Sequence, residues 1–151
     1  MILIIEGADG SGKTTLANTL RMITGYPVIH NKYEKDKMDQ MKGEYLQMIR
    51  NNKNLILDRC WYSELCYGPV MRGGSTFDFY DMYELEEAIL ANGGGLIIYA
   101  TGPESALWSA CQRRGEDFVT SRDDFKQIYM HYKKLMSIPH RLPVVKYEVN
   151  H

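Results

Sequence analysis

Short runs of apolar residues recur along this chain, and a more polar segment follows each of them. Runs this continuous are typical of strands that are buried on both faces of a parallel sheet. The last run alternates apolar and polar residues, which favours an edge strand. The pattern therefore predicts five strands, at residues 2–5, 26–29, 55–57, 96–100 and 144–149.

The segments between these runs have helical periodicity. In the first of them, Leu16, Leu20 and Ile23 fall on one stripe. Because strands and helices alternate, we predict an α/β fold with three layers, a five-stranded parallel sheet flanked by helices, and right-handed crossovers. The predicted helices cover 13–23, 36–51, 79–90, a segment that begins at Pro103, and 123–136.

The composition is that of an ordinary globular domain. The chain has 151 residues, of which 44% are hydrophobic and 25% are charged, so we expect one domain that spans 1–151. The formal net charge of -1 gives no general surface for polyanions, which argues against a nucleic-acid partner.

The cysteines and the N-terminus bear on the cellular compartment. Cys60, Cys66 and Cys111 are odd in number and lack metal-ligand spacing, which favours reduced thiols over a disulfide framework. The first apolar run is too short for a signal peptide, and no apolar window approaches the length that spans a bilayer. We therefore expect a cytoplasmic protein with no membrane partner.

A glycine-rich stretch, "GADGSGKT", joins the first predicted strand to the first predicted helix. It matches G-x-x-x-x-G-K-[ST], the pattern of a phosphate-binding loop, in the strand-to-helix setting that this function requires. A turn that merely contains glycine is the alternative. The candidate nucleotide-binding residues are Gly7, Ala8, Asp9, Gly10, Ser11, Gly12, Lys13, Thr14 and Thr15.

The physical chemistry of such a loop explains its composition. Glycines allow backbone conformations in which successive amide N–H groups converge on an anion, and the positive end of the following helix adds to them. Lys13 would neutralise the β- and γ-phosphates, and the Thr14 hydroxyl would ligate Mg²⁺. The sequence therefore predicts a P-loop NTPase fold that binds a nucleoside triphosphate together with Mg²⁺.

A second motif follows the third predicted strand, in "LILDRCWYSELCYGPVMRG". Asp58 and Arg59 fall just beyond the carboxyl end of that strand, where α/β sheets bind their ligands. A structural ion pair between these two residues is the alternative. The sequence contains no N-K-x-D motif, which reads guanine, and this argues against a GTPase.

These motifs together resemble the thymidylate kinase family of deoxynucleoside monophosphate kinases. That family carries G-x-D-G-x-G-K-T-T, then D-R-x-x-x-S-x-x-x-Y, and then an arginine-bearing lid after a P-E-x-A-L helix start. This chain has "GADGSGKTT", "DRCWYSELCY" and "GPESALWSACQRRGED", and its end, "IYMHYKKLMSIPHRLPVVKYEV", is similar to the closing helix and strand of the family. The resemblance covers nearly the whole chain with gaps. It extends to the small members that phages encode, for which the compartment is the host cytoplasm.

The resemblance implies that the γ-phosphoryl group of ATP passes to a deoxynucleoside monophosphate, with dTMP the favoured acceptor. Asp9 would lie near the sugar hydroxyl of this acceptor. Arg59 would hold the acceptor phosphate near the γ-phosphate, and Asp58 would organise Mg²⁺ through water. Ser63 and Tyr67 would line the acceptor site, with Tyr67 near the sugar.

The resemblance also implies roles for three further arginines. Arg72 would make a second contact to the acceptor phosphate, and Arg113 and Arg114 would close on the transferring group from a lid at 112–122. Phosphoryl transfer supports this set independently, because cations must bring two polyanions together. For Arg113 and Arg114 a solvated helix end is the alternative, and only one of them need act. The candidate catalytic residues are Lys13, Asp58, Arg59, Arg113 and Arg114.

Departures from the family pattern keep the acceptor open. The chain is short, and the loop after the second strand reads "HNKYEKDK" where an acceptor-binding arginine is expected. His30 and Lys32 are the candidates for that role, and a solvated side chain is the alternative for each. No aromatic residue matches the one that stacks on thymine. The alternatives are a kinase for a hydroxyl on a nucleoside or on a modified base in DNA, such as hydroxymethyluracil, and a non-catalytic ATP-binding module. A homodimer also stays open.

Overall fold

The fold is built around one parallel sheet. The computed structural model of the chain describes residues 1–31, 40–75, 77–114, 119 and 121–148. Every strand pair is parallel, and the strands lie in the order β2-β3-β1-β4-β5. The strands are β1 (Ile2–Glu6), β2 (Val28–His30), β3 (Leu55–Asp58), β4 (Gly95–Thr101) and β5 (Val144–Glu148).

Helices cover both faces of this sheet. Ile2 and Ile4 of β1 face the larger apolar cluster, whereas Leu3 and Ile5 face the smaller one. The helix that begins at Lys13 covers the smaller cluster, and the others contribute to the larger one. The helices are α1 (Lys13–Thr24), α2 (Met41–Asn51), α3 (Trp61–Met71), α4 (Phe79–Ala91), α5 (Glu104–Arg113) and α6 (Arg122–Leu135).

The predicted fold class is confirmed: the chain forms a three-layer α/β fold in which helices cover both faces of a five-stranded parallel sheet, with β5 at one edge. Helices α1, α4, α5 and α6 agree with the predicted segments to within a residue or so. The predicted second helix begins within residues 32–39, which lie outside the described part of the chain, as do residues 115–118 and 120 of the expected lid.

Helix α3 is an addition that the periodicity did not predict. Its buried residues, which include Trp61, Tyr62, Cys66 and Tyr67, lie on several sides of the helix. The helix therefore lacks the single apolar stripe that marks a surface helix. It also contains Pro69, which ordinarily disfavours a helix interior. Among the described residues, no helix combines the length and apolar character needed to cross a bilayer.

Candidate active site

A cleft of about 380 Å³ opens at the carboxyl ends of the central strands. In a parallel sheet these ends share one edge, so residues from distant parts of the chain meet there. The loop after β1, the end of β2 and the end of β3 all contribute. The lining residues are Asp9, Gly10, Lys13, Thr14, His30, Asn31, Asp58, Arg59 and Arg114.

The loop between β1 and α1 requires glycine at two positions. A Cβ atom at Gly7 would lie 2.1 Å from the carbonyl oxygen of Ala100 on β4. Gly10 has φ +84°, and a Cβ atom there would lie 2.2 Å from the carbonyl oxygen of Leu107 on α5. Of the two fixed glycines of the motif, Gly7 lies where a side chain cannot fit and Gly12 has φ +81°, while Gly10 is a further position that is closed to a side chain.

Lys13 lies inside the curve of this loop and is nearly buried. Its Nζ donates hydrogen bonds to the carbonyl oxygen of Ala8 at 2.9 Å and to Ser11 Oγ at 3.2 Å. Burial, followed by the positive charge of Arg59, lowers the pKa of Lys13 to about 7. A bound anion would favour the protonated lysine. Gly12 caps the start of α1, and Thr15 is exposed in the first turn of that helix.

Thr14, Asp58 and His30 meet at one carboxylate oxygen. The Thr14 hydroxyl donates to Asp58 Oδ2 at 3.1 Å, and His30 Nδ1 lies 2.7 Å from the same oxygen. Asp58 is buried, and all three residues line the cleft. A hydroxyl and a carboxylate side by side are the hard oxygen ligands that Mg²⁺ prefers, so these residues fit the predicted metal.

Arg59, Asp9 and Tyr67 form a second cluster at the cleft, to whose lining Arg59 and Asp9 belong. The guanidinium of Arg59 pairs with Asp9 Oδ1 and lies over the Tyr67 ring, 5.1 Å from its centroid. The Tyr67 hydroxyl accepts hydrogen bonds from the Asp9 backbone N–H at 3.1 Å and from Arg59 Nη2 at 3.4 Å. Asp9 Oδ2 is buried and has no hydrogen-bond partner among the described residues. The cluster thus offers both a cation and a carboxylate oxygen to a ligand.

Four of the predicted catalytic and substrate-binding residues do not line the cleft. Tyr67 contacts the lining residues Asp9 and Arg59. Ser63 donates its hydroxyl to Oε1 of the buried Glu6 at 2.7 Å. Arg72 forms an ion pair with Glu64 of α3. Arg113 and Arg114 are both exposed at the end of α5, and of these two Arg114 lines the cleft.

Two residues near the cleft were not on the list of sequence candidates. Asn31 lines the cleft and donates its side-chain amide to the carbonyl oxygen of Arg59 at 2.7 Å. Glu6 is fully buried at the end of β1, directly before the loop. A charged residue that ends an apolar strand is the one signal in the sequence that could have marked Glu6.

Comparison with known proteins finds a prophage protein and a viral protein that are similar to this chain in sequence. No protein-family model matches the chain. The "SPbeta prophage-derived uncharacterized protein YorR" of Bacillus subtilis (strain 168) is 26% identical over 138 residues, which are 90% of this chain and 82% of that protein. A protein of Acidianus bottle-shaped virus (isolate Italy/Pozzuoli) with the name "Putative thymidylate kinase" is 28% identical over 95 residues, 59% of this chain and 61% of that protein.

Solved structures establish the fold. The crystal structure of the Bacillus subtilis YorR protein in complex with phosphorylated GDP superposes with a TM-score of 0.74 at 22% identity, over 99% of this chain and 85% of that chain. The structure of deoxyadenosine kinase from M. mycoides with bound dATP gives a TM-score of 0.68 at 17% identity, over 98% of this chain and 91% of that chain. The chain therefore shares its fold with these structures, and the predicted three-layer fold with a five-stranded parallel sheet is confirmed. Membership of the thymidylate kinase family in particular stays a prediction.

Proposed function

We propose that this chain transfers the γ-phosphoryl group of ATP to a deoxynucleoside monophosphate, with dTMP the favoured acceptor. The observation that carries the proposal is the convergence of three cationic side chains, Lys13, Arg59 and Arg114, on one cleft in a protein of net charge -1. Cations gathered in this way suit a reaction that brings two polyanions together.

The loop at 7–14 would hold the triphosphate. Backbone amides and the N-terminus of α1 would contact its oxygens, and Lys13 would exchange its bonds to Ala8 and Ser11 for bonds to phosphate. Thr14 and Asp58 would hold Mg²⁺, directly or through water. When bound, this ion would neutralise charge on the phosphates.

The acceptor would lie against the cluster of Arg59, Asp9 and Tyr67. Arg59 would bind its phosphate, and Oδ2 of Asp9, which has no hydrogen-bond partner within the described part of the chain, would accept a hydrogen bond from its sugar hydroxyl. In the transfer, an oxygen of the acceptor phosphate forms a bond to the γ-phosphorus while the bond to the β–γ bridging oxygen breaks, and ADP leaves. Arg114 would stabilise the charge on the group in flight.

The remaining predicted residues enter this proposal with a smaller role. Arg72 would reach an acceptor phosphate only after leaving Glu64, so Arg59 makes the first contact. The Ser63 hydroxyl donates a hydrogen bond to the buried carboxylate of Glu6. Arg113 is exposed and does not line the cleft. Between the two arginines of the predicted lid, the cleft favours Arg114.

The names of the similar proteins support a kinase without deciding its acceptor. One relative carries a thymidylate kinase name, which favours a monophosphate acceptor. The similar fold of a deoxyadenosine kinase favours the alternative, in which the acceptor is a hydroxyl on a nucleoside.

An ADP-release assay with purified protein, ATP and Mg²⁺ tests these alternatives together. The acceptors are the four deoxynucleoside monophosphates, the corresponding nucleosides, and an oligonucleotide that contains hydroxymethyluracil. We expect turnover with the monophosphates and the fastest turnover with dTMP. Turnover with nucleosides alone or with the oligonucleotide alone would reject the monophosphate acceptor. ATP binding without turnover of any acceptor would identify a non-catalytic module.

A further inference from the structure

Glu6 is a buried carboxylate that the proposed reaction does not use. It is the last residue of β1 and directly precedes the phosphate-binding loop, yet its side chain is 0% exposed and does not line the cleft. A carboxylate in such a place is costly unless several donors satisfy it. Its contacts therefore indicate what it does.

Four hydrogen-bond donors converge on the carboxylate of Glu6. Oε2 accepts from the backbone N–H of Cys60 at 2.8 Å and from that of Ser63 at 3.0 Å. Oε1 accepts from the Ser63 hydroxyl at 2.7 Å and from the Tyr132 hydroxyl at 3.0 Å. Burial raises the pKa of Glu6, while these donors and the charge of Arg59 oppose that rise. Four donors occupy the lone pairs of an ionised carboxylate.

Two of these donors belong to the start of α3. Cys60 is the N-cap residue of that helix, and its own side chain makes no capping hydrogen bond. Glu6, on β1, thus supplies the acceptor that an N-cap side chain usually provides. It also places a negative charge at the positive end of the helix. The carboxylate thereby ties the end of β1 to the first turn of α3.

Arg59 lies between the end of β3 and the N-cap residue of α3, and its backbone is strained. Its φ is +68°, the one positive φ of a non-glycine residue in the described ranges. Its N–H donates to the carbonyl oxygen of Ile5 at 3.0 Å, and its own carbonyl oxygen accepts from the side-chain amide of Asn31 at 2.7 Å. A strained conformation of this kind persists where surrounding bonds hold it. The bond from Cys60 to Glu6 holds the next peptide.

We propose that Glu6 is a positioning residue that fixes the turn between β3 and α3, so that the Arg59 guanidinium faces the phosphate cleft beside Asp9. The role of Arg59 as the ligand of the acceptor phosphate belongs to the proposed function, and the inference rests on it. The strained backbone of Arg59 sets the direction of its side chain, and the hydrogen bond from the Cys60 N–H to the Glu6 carboxylate stabilises that backbone.

Three substitutions at Glu6 separate hydrogen bonding from the mere filling of space. In Glu6→Gln the side-chain oxygen can still accept from both backbone N–H groups, and the two hydroxyls can turn to accept from its amide. Glu6→Met has a similar length and no acceptor. Glu6→Asp keeps the charge but is one methylene too short. We expect kcat to fall less than about 5-fold in the Gln variant, at least about 30-fold in the Met variant, and by an intermediate factor in the Asp variant.

A double-mutant cycle with Arg59→Ala distinguishes positioning from general stabilisation. If Glu6 acts through Arg59, Glu6→Met should lower kcat by less than about 3-fold in the Arg59→Ala background. Glu86→Met is the matched control, because Glu86 is also fully buried and accepts from Tyr62 and His140 away from the cleft. Its effect should be the same in both backgrounds. Equal losses for Glu6→Met with and without Arg59 would overturn the inference.

A readout that needs no activity completes the test. In the NMR spectrum of arginine-labelled protein, the Nε–Hε signal of Arg59 is assigned as the signal that disappears in the spectrum of Arg59→Ala. We expect this signal to move in Glu6→Met and in Glu6→Asp and to stay in place in Glu6→Gln and Glu86→Met. An unmoved signal in folded Glu6→Asp would overturn the inference, even if Glu6→Met does not fold. A wild-type protein without turnover on any acceptor would sink the proposed function, and the spectra would still decide the role of Glu6.

Discussion

The hydroxyl of Thr14 donates a hydrogen bond to Oδ2 of Asp58 over 3.1 Å. This contact joins the first turn of α1 to the end of β3, two segments 44 residues apart in the chain. It places a hydroxyl and a carboxylate at one point of the cleft, next to the lysine of the phosphate-binding loop. The geometry suits a hard cation between the triphosphate and the sheet.

Asp58→Asn should therefore raise the Mg²⁺ concentration that gives half-maximal activity, by about 10-fold or more. The amide oxygen can still accept from Thr14, so the fold should be unaffected while the charge that attracts the cation is lost. A Mg²⁺ titration of the phosphoryl-transfer rate measures this. Asp78→Asn, at the exposed N-cap of α4, is a control of the same chemistry. An unchanged Mg²⁺ requirement in Asp58→Asn would remove Asp58 from the metal site.

Lys13→Ala should lower kcat by at least about 100-fold, because a buried cation inside the loop would no longer neutralise the phosphates. The protein should stay folded, since Lys13 bonds only to its own loop among the described residues. Steady-state kinetics and circular dichroism test the two halves of this expectation. Turnover within a few-fold of the wild-type rate would place the triphosphate elsewhere.

Arg114→Ala should slow phosphoryl transfer more than it weakens nucleotide binding, since a contact to the transferring group matters most in the transition state. The neighbouring Arg113 is exposed and does not line the cleft, so Arg113→Ala is the matched control. Single-turnover rates and equilibrium binding of an ATP analogue separate transfer from binding. Equal losses in both variants, or a loss of binding alone, would contradict this assignment.

Gly10→Ala should destabilise the protein by about 3 kcal/mol or more, because it combines a positive φ with a clash. Gly25→Ala is the matched control: Gly25 has φ +75° at the end of α1, and a Cβ atom there would meet nothing within 4 Å. The control should cost only about 1 kcal/mol. Urea unfolding of both variants gives the difference. Equal losses of unfolding free energy in the two variants would show that the loop can move to accommodate the added methyl group.

The free energy of unfolding should depend on pH through His140. Its Nδ1 lies 2.8 Å from Glu86 Oε2 and its Nε2 lies 2.8 Å from the carbonyl oxygen of Leu135, so both nitrogens face acceptors and the protonated ring can donate to both. Burial of His140 opposes its charge, but the bonds to Glu86 and Leu135 outweigh burial and raise the pKa. The Tyr62 ring, the other titratable group against it, donates its hydroxyl to Glu86.

The sign of the effect follows from the raised pKa. The stabilisation is complete below the ordinary histidine pKa of about 6.5 and is lost as the pH rises through the higher pKa of the folded state. Urea unfolding across this window should show the difference in unfolding free energy between the wild-type protein and His140→Gln shrink by at most about 1.4 kcal/mol per pH unit. Comparing the two proteins removes the opposite slope that the lowered pKa of Lys13 gives to both. His131→Gln on α6 should keep the pH dependence of the wild-type protein. A constant difference between wild type and His140→Gln over this window would contradict the buried pair.

The backbone of the site could be predicted because its signals are local. Gly7 and Gly10 are glycines for reasons that involve a few neighbouring atoms, and the motif that contains them appears as a pattern in the sequence. Helix α3 could not be predicted in the same way. Its side chains are buried in several directions, so no periodicity separates a core face from a solvent face.

The directions of side chains at the site depended on partners far away in the chain. Arg113 and Arg114 are adjacent in sequence and both exposed, yet of the two Arg114 lines the cleft, where it joins Asp9, Asp58 and other residues from distant segments. Ser63 follows the expected motif, but Glu6 and Tyr132, from β1 and α6, draw its hydroxyl away from the cleft.

The amino-acid sequence by itself determined the alternation of strands and helices, the parallel sheet and the loop between β1 and α1, because hydrophobic periodicity and glycine spacing act over short stretches of chain. Only the tertiary structure decided that Asp9, Arg59 and Tyr67 form one cluster, that Arg72 pairs with Glu64, and that Glu6 holds the start of α3. These contacts depend on the order of the strands in the sheet, which brings the ends of distant segments to a single edge.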